Sequence, residues 1–152
     1  MAISVRMATT PCRNESKTIL VVEDDATIRS IIRIVLERMG HVLLEAGDGA
    51  EGLTVSRNFS GRIDLVVSDV RMPKMDGPEM VSRLQAERPG IKVLFMSAYY
   101  TQSPPPDRTE DFLPKPFLPA AIEKKVHEVF ARDPASFGSR EIGHNRKTRA
   151  WR

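Results

Sequence analysis

Two kinds of hydrophobic pattern alternate along the chain. Continuous apolar runs, which are typical of strands buried on both faces, occur at 18–23, 41–46, 63–69, 91–97 and 111–114. Apolar residues spaced three and four positions apart, which form one face of a helix, occur at 24–40, 48–59, 78–90 and 119–132. Strands alternating with helices at this spacing predict an α/β protein in which helices cover both faces of a doubly wound parallel sheet.

The predicted elements occupy one stretch of chain, and the ends differ from it. Residues 1–16 and 132–152 show no periodicity, so we predict one folded domain over 17–131 between two disordered tails. The tails carry charges of +1 and +4, which leaves −2 on the middle of a chain whose net charge is +3. The basic excess therefore belongs to the ends, and we do not expect the domain itself to bind nucleic acid.

Several classes of protein do not fit this sequence. No apolar run approaches the roughly 20 residues that span a bilayer, and residues 1–16 lack the apolar core of a secretory signal. The single cysteine, Cys12, allows neither an internal disulfide framework nor a multi-cysteine zinc site. We expect a cytoplasmic protein that does not bind membranes.

Charged and hydroxyl side chains stand at one end of the predicted strands. Glu23 and Asp24 follow the first strand, and Asp69 ends the third. Ser97 ends the fourth strand and Lys115 follows the fifth. Because the carboxyl ends of parallel strands meet at one edge of the sheet, where such folds bind their ligands, we expect these five side chains to converge.

The three carboxylates of this set would repel one another unless a cation lay among them. Oxygen ligands without histidine or cysteine favour a hard cation, and Mg²⁺ fits best because it takes one or two carboxylates and keeps water and phosphate oxygens as further ligands. The lysine and the hydroxyl could donate to the other oxygens of a phosphoryl group. The pattern predicts a magnesium site that holds a phosphoryl group on a carboxylate.

Four motifs make the sequence similar to a known family. ILVVEDD, DLVVSDVRMPKMDG, VLFMSA and FLPKPF, in this order, resemble the receiver domain of two-component response regulators, and the resemblance covers about residues 17–131. It implies a flavodoxin-like receiver fold with five parallel strands in the order 2-1-3-4-5. The chain would be a single-domain receiver or a receiver like those of hybrid histidine kinases.

The resemblance implies a role for each acid. Asp69 would accept a phosphoryl group from a sensor histidine kinase or a histidine phosphotransfer protein. Glu23 and Asp24 would position Mg²⁺ together with Asp69, and Arg71 would offer the metal only its backbone carbonyl. Asp25, one position beyond the acidic pair, is expected to cap the first helix instead.

The other motif residues would take part in the chemistry and its readout. Ser97 matches the hydroxyl that senses the phosphoryl group, and Lys115 matches the lysine that pairs with it. Phe112 matches the family's aromatic switch residue, although an ordinary core position is an equally good interpretation. The resemblance also implies a cis peptide bond between Lys115 and Pro116.

Two other functions fit parts of the pattern. A phosphorylation-independent interaction module could keep the fold, but here all the acids of the site are present. A turnover phosphatase with an aspartyl intermediate would need a second acid two residues after Asp69, where Arg71 stands. We therefore expect a phosphoacceptor and not a turnover enzyme. His41, His127 and His144 are not clustered, so we predict surface or tail positions without a catalytic or ligand role.

The expected partners are proteins. The segment after position 132 is too short for an output domain, so phosphorylation would switch contacts of a monomer or weak dimer with an unknown downstream protein. The cations at 146–152, with Trp151 among them, could bind nucleic acid or an acidic partner. A solvated tail is nevertheless the more common use of such a segment.

Prolines 104–106 interrupt the region between the fourth and fifth strands. Only residues 98–114 separate Ser97 from Lys115, and the prolines lie in the middle of them. Each proline lacks an N–H, and its ring clashes with the preceding turn of a helix. We therefore predict that the fourth helix of the receiver fold is missing or much shortened, with extended backbone in its place.

Overall fold

The computed structural model of the protein describes residues 15–98 and 112–132. Within these ranges the elements are β1 Thr18–Val22, α1 Ala26–Arg38, β2 Val42–Ala46, α2 Gly49–Asn58, β3 Leu65–Asp69, α3 Gly77–Glu87, β4 Lys92–Ser97, β5 Phe112–Pro114 and α4 Pro119–Ala131. Residues 1–14 and 133–152, which make up nearly all of the two predicted tails, lie outside the described residues, as does the proline run. The loss of a helix at the prolines therefore stays a prediction.

The five strands form one parallel sheet in the order β2-β1-β3-β4-β5. This confirms the predicted α/β class and the strand order that the resemblance implies. The register sets Val22 of β1 opposite Ala46 and Ser68, and Asp69 opposite Met96. The carboxyl ends of neighbouring strands therefore finish within about one residue of each other, which creates the edge where the acids were expected.

Helices cover both faces of the sheet. One core cluster joins the sheet to α1 and α4, and the other joins it to α2 and α3. The apolar run of β1 is continuous because alternate side chains of a strand point to opposite faces, and both faces of this strand are buried. Ile19 and Val21 belong to the first cluster, and Leu20 and Val22 belong to the second. All four side chains are fully buried.

Aspartates begin three of the described helices. The carboxylate of Asp25 accepts the N–H groups of Thr27 at 2.8 Å and of Ile28 at 3.1 Å, so Asp25 caps α1 as expected. Asp48 and Asp76 cap α2 and α3 in the same way. None of the helices in the described ranges combines the length and apolar character needed to cross a bilayer.

His41 is buried at the amino ends of the strands, opposite to the edge with the acids, so the prediction that it is a surface residue is wrong. Its Nδ1 accepts the N–H of Lys17 at 3.2 Å, and its ring centre lies 5.6 Å from that of Phe130. Burial, together with the charge of nearby His127, lowers the pKa of His41 below its usual value. His127 itself is exposed, as predicted, and His144 lies outside the described residues.

A cleft of about 420 Å³ opens at this same edge, between the amino ends of the strands and the end of α4. Lys17, Arg62, Lys92 and Arg132 are among the residues that line it. The ammonium of Lys92 donates to the carbonyl oxygens of Val129 at 2.8 Å and of Arg132 at 3.0 Å, and so caps the end of α4. Lys17, near the start of the described residues, and Arg132, the last of them, therefore lie close together.

Candidate functional site

Glu23, Asp24, Asp69 and Lys115 meet at the carboxyl edge of the sheet. Because β1 and β3 are neighbours, the turn after β1 lies beside the last residue of β3. One carboxylate oxygen from each of the three acids lies within 4.8 Å of the other two. The structure therefore brings these four side chains together as the sequence pattern predicted, and the fifth predicted residue, Ser97, ends the neighbouring strand β4.

Lys115, the residue directly after β5, contacts the acids through its side chain. Its Nζ donates to Oε2 of Glu23 at 2.6 Å and lies 3.2 Å from Oδ2 of Asp69. Its backbone N–H donates to the carbonyl of Ser97 at 2.8 Å, which fixes the start of the side chain against the end of β4. The peptide bond between Lys115 and Pro116 is cis, the geometry that the resemblance implies.

Burial and charge act in opposite directions on this ion pair. Burial raises the pKa of the Glu23 carboxyl above its usual value, although the hydrogen bond from Lys115 lowers it. For Lys115, burial lowers the pKa, but the hydrogen bond from Lys115 to Glu23 and the charges of Glu23 and Asp69 together raise it above the usual value. The lysine is therefore held in its charged form, ready to pair with anionic oxygens.

Each polar group of Glu23 has a partner, and its side chain is only 1% exposed. Its Oε1 accepts the N–H of Asp25 at 3.1 Å, and its own N–H donates to the carbonyl of Ala46 at 3.1 Å. Its carbonyl oxygen accepts a hydrogen bond from Nη1 of Arg29 at 2.7 Å. Sequence reasoning missed Arg29, because one arginine in an amphipathic helix carries no signal of such a contact.

The backbone around Asp69 leaves no room for a side chain at Gly77. The N–H of Gly77 donates to the carbonyl of Val70 at 2.8 Å, and the N–H of Val70 donates to that of Met96 at 2.9 Å. A Cβ atom at position 77 would overlap the carbonyl oxygen of Asp69. The glycine of the MDG motif therefore lets the loop fold back against the last residue of β3.

The three remaining predicted residues occupy different surroundings. Ser97 is buried at the end of β4. Phe112 is half-buried and packs against Phe95 with 6.1 Å between ring centres, which suits the interpretation as a core residue, and its movement as a switch stays a prediction. Arg71 is exposed in the loop after β3.

The acids suit a hard divalent cation. All the side-chain donors are carboxylate oxygens, which Mg²⁺ prefers over nitrogen or sulfur ligands. Asp24 is exposed, the side chain of Asp69 is 12% exposed, and Glu23 is fully enclosed. Each oxygen of Glu23 already accepts one hydrogen bond but keeps further acceptor capacity. The donor set therefore fits the predicted metal.

Fold and site together define a doubly wound α/β protein with an acidic site at the carboxyl edge of its sheet. The model of the response regulator receiver domain family matches residues 19–127. The chain belongs to this family, whose members are parts of two-component signalling systems.

Curated relatives include longer proteins. The sensor kinase CckA of Brucella abortus (strain 2308) is 36% identical over 121 residues, which are 77% of this chain and 13% of that protein. The alkaline phosphatase synthesis transcriptional regulatory protein PhoP of Bacillus subtilis (strain 168) is 30% identical over 134 residues, 84% of this chain and 54% of that protein. The chain thus spans between about an eighth and about half of their lengths.

Solved receiver domains match over nearly their whole length. The receiver domain from the hybrid histidine kinase CckA aligns with a TM-score of 0.62 and 34% identity, covering 73% of this chain and 96% of that one. The chemotaxis protein CheY4 of Vibrio cholerae aligns with a TM-score of 0.63 and 27% identity, covering 75% and 98%. These matches confirm the receiver fold that the motifs imply.

Proposed function

We propose that this receiver domain is a phosphoacceptor switch, and that Asp69 takes its phosphoryl group from a histidine residue of a sensor kinase or phosphotransfer protein. The observation that carries the proposal is the position of the Asp69 carboxylate, 3.2 Å from the Lys115 ammonium and within 4.8 Å of oxygens of Glu23 and Asp24. Similarity to a relative named as a sensor kinase supports a phosphodonor of that class.

The transfer needs one bond to form and one to break. An oxygen of Asp69 attacks the phosphorus of a phosphohistidine, the P–N bond breaks with its electron pair remaining on the imidazole nitrogen, and the new P–O bond makes an acyl phosphate. Hydrolysis follows when a water oxygen attacks the phosphorus and Asp69 leaves as a carboxylate. Both reactions occur on the domain itself, so it is not a turnover enzyme.

The neighbouring residues would hold the phosphoryl group. Glu23, Asp24 and Asp69, with the backbone carbonyl of Arg71, would bind Mg²⁺, which neutralises charge on phosphoryl oxygens when it is bound. The ammonium of Lys115 would pair with another phosphoryl oxygen, since it already lies beside Asp69. The hydroxyl of Ser97 would then donate to the phosphoryl group.

Phosphorylation would change contacts with a downstream protein. It adds about −1.5 to −2 charges at Asp69, and this local change would act through Ser97 and Phe112 on the surface near β4 and β5. We place the protein in the cytoplasm, where such phosphodonors act on receivers.

Labelling with a small phosphodonor tests this function. Wild type incubated with acetyl phosphate or phosphoramidate and Mg²⁺ should gain one phosphoryl group by intact mass. Asp69→Asn, shown to be folded by circular dichroism, should gain none, and chelation of Mg²⁺ should abolish labelling of wild type. An unlabelled wild type would instead favour a phosphorylation-independent interaction module.

A further inference from the structure

Arg29 connects the turn that carries the acidic pair to the edge strand of the sheet. It is the fourth residue of α1, and its side chain is 25% exposed. Its Nη1 donates to the carbonyl oxygen of Glu23 at 2.7 Å, while its Nε lies 3.8 Å from Oε1 of Glu45 on β2. A planar guanidinium can make both contacts at once, which an ammonium on a single atom cannot do as well.

The carbonyl that Arg29 contacts belongs to the peptide between Glu23 and Asp24. A bond to this oxygen restricts the rotation of that peptide, and therefore the direction in which Asp24 leaves the strand. Within the turn, the N–H of Asp25 donates to Glu23 and its carboxylate caps the helix that follows, while the N–H of Glu23 donates to the carbonyl of Ala46 on β2. Arg29 adds a second link to β2, from a side chain and through Glu45.

Arg29 and Lys115 hold opposite ends of Glu23. Lys115 contacts the carboxylate and Arg29 the main-chain carbonyl, and both contacts are short, at 2.6 and 2.7 Å. Glu23 is fully buried, so neither contact competes with bulk water at the glutamate. The residue is therefore fixed both in its side chain and in its backbone.

We propose that Arg29 is a positioning residue for the divalent-cation site: it fixes the Glu23–Asp24 peptide so that both carboxylates face Asp69, and thereby strengthens metal binding. This inference rests on the proposed function of the site. The inference predicts that removal of Arg29 weakens metal binding. The charge of Arg29 alone would have the opposite effect, because a cation close to a metal site repels the metal. Removal of a mere charge would tighten metal binding, whereas removal of an anchor weakens it.

Titration with Mn²⁺, followed by the electron paramagnetic resonance signal of the free ion, measures the affinity directly. Arg29→Met keeps the length of the side chain and removes the charge and both contacts. We expect its Kd to be about tenfold higher than that of wild type, the size of effect seen when groups that orient metal ligands are lost. Arg29→Lys, which keeps a donor, should recover part of the affinity.

Arg33→Met is the matched control. Arg33 lies one helical turn after Arg29, and its replacement removes the same charge without touching the contact to Glu23. Its Kd should equal that of wild type or be lower. Glu45→Gln weakens the second anchor and also removes a negative charge, so it should raise the Kd, but by less than Arg29→Met.

Each outcome decides the proposal. An unchanged or lower Kd for folded Arg29→Met overturns it, as does a loss of stability without a change in Kd. If Arg29→Met does not fold, Arg29→Lys and Glu45→Gln decide, and wild-type affinity in both refutes the anchor. If wild type is phosphorylated at Asp69 while Arg29→Met keeps its Kd, only this inference fails. If wild type neither binds Mn²⁺ nor is labelled, the proposed function fails with it.

Discussion

At the scale of single residues, the site combines groups that are unfavourable by themselves. A buried carboxylate such as Glu23 loses its hydration, and the cost is tolerable only because charged and main-chain donors replace the water. Removal of one partner then leaves the other charge buried without compensation for its lost hydration. Two substitutions test how strictly the neighbouring residues are constrained.

Lys115→Met should destabilise the domain by about 3 kcal/mol at neutral pH, because it leaves the Glu23 carboxylate buried without its counter-charge. The pKa of Glu23 would then rise further above its ordinary value of 4.5. A raised folded-state pKa gives stability that is present below 4.5 and is lost as the pH rises through the folded value. Urea unfolding should therefore show a smaller defect near pH 5 than near pH 7.

The double variant Glu23→Gln/Lys115→Met is the control for this prediction. It removes the carboxylate together with its partner, so it should be more stable at neutral pH than Lys115→Met alone. A defect in Lys115→Met that does not change with pH would contradict the role of the buried charge.

Gly77→Ala should lower the free energy of unfolding by about 3 kcal/mol, because the new Cβ collides with the Asp69 carbonyl oxygen, which is backbone and cannot swing away. Gly47→Ala is the control, since its Cβ would meet only the ends of the flexible Glu51 and Arg29 side chains, at 3.2 and 3.5 Å. Urea midpoints compare the two, and similar losses would argue against a special constraint at position 77.

At the scale of elements, the hydrophobic pattern located each described strand and helix, but it placed some ends imperfectly. The apolar run suggested a third strand from Ile63, whereas β3 begins at Leu65. Asp64 still pairs with both neighbouring strands, because its N–H donates to the carbonyl of Thr18 at 2.8 Å and its carbonyl accepts the N–H of Lys92 at 3.1 Å. Its carboxylate also accepts the N–H of Thr18 at 2.9 Å, a contact that local sequence does not reveal. Similarly, nothing near His41 in the sequence shows that Phe130 will cover it.

The burial of His41 beneath α4 should make the stability of the domain depend on pH. The pKa of His41 lies below its ordinary value of 6.5 in the folded state, so unfolded chains bind the proton more readily. The stability that neutral His41 contributes is therefore present above pH 6.5 and is lost as the pH falls towards the folded value. Thermal unfolding should show a lower midpoint at about pH 5.5 than at about pH 7.5.

His41→Asn isolates this contribution, because its amide oxygen can still accept the N–H of Lys17 but cannot be protonated in this range. The difference in midpoint between the two pH values should shrink in this variant. An equal difference in both proteins would show that other groups cause the pH dependence.

At the scale of the whole molecule, the sequence was most informative where one rule acted on many residues. Strand-end acids converge because all the strands are parallel, so Glu23, Asp24, Asp69 and Lys115 could be predicted together from their positions. The support of the site could not be predicted in this way. It depends on how the chain folds back on itself in three dimensions: Arg29 bonds the carbonyl of Glu23, and the loop after β3 brings Gly77 against the carbonyl of Asp69.

The segment between β4 and β5 carries the remaining prediction about architecture. Prolines 104–106 should keep residues 100–110 out of a regular helix. Backbone chemical shifts of the protein in solution measure this, and they should lack helical values across the segment. Helical shifts over two or more turns would show that the fourth helix is present despite the prolines.

The cleft between Lys17 and Arg132 has a practical consequence for engineering. Because the described residues begin and end there, at the edge of the sheet opposite to Asp69, a fluorescent protein fused directly before Lys17 or after Arg132 would not cover the acidic site. The proximity of the ends would also allow them to be joined by a short linker and the chain to be reopened elsewhere, since circular permutation favours neighbouring termini. The domain is therefore a suitable starting point for a permuted biosensor.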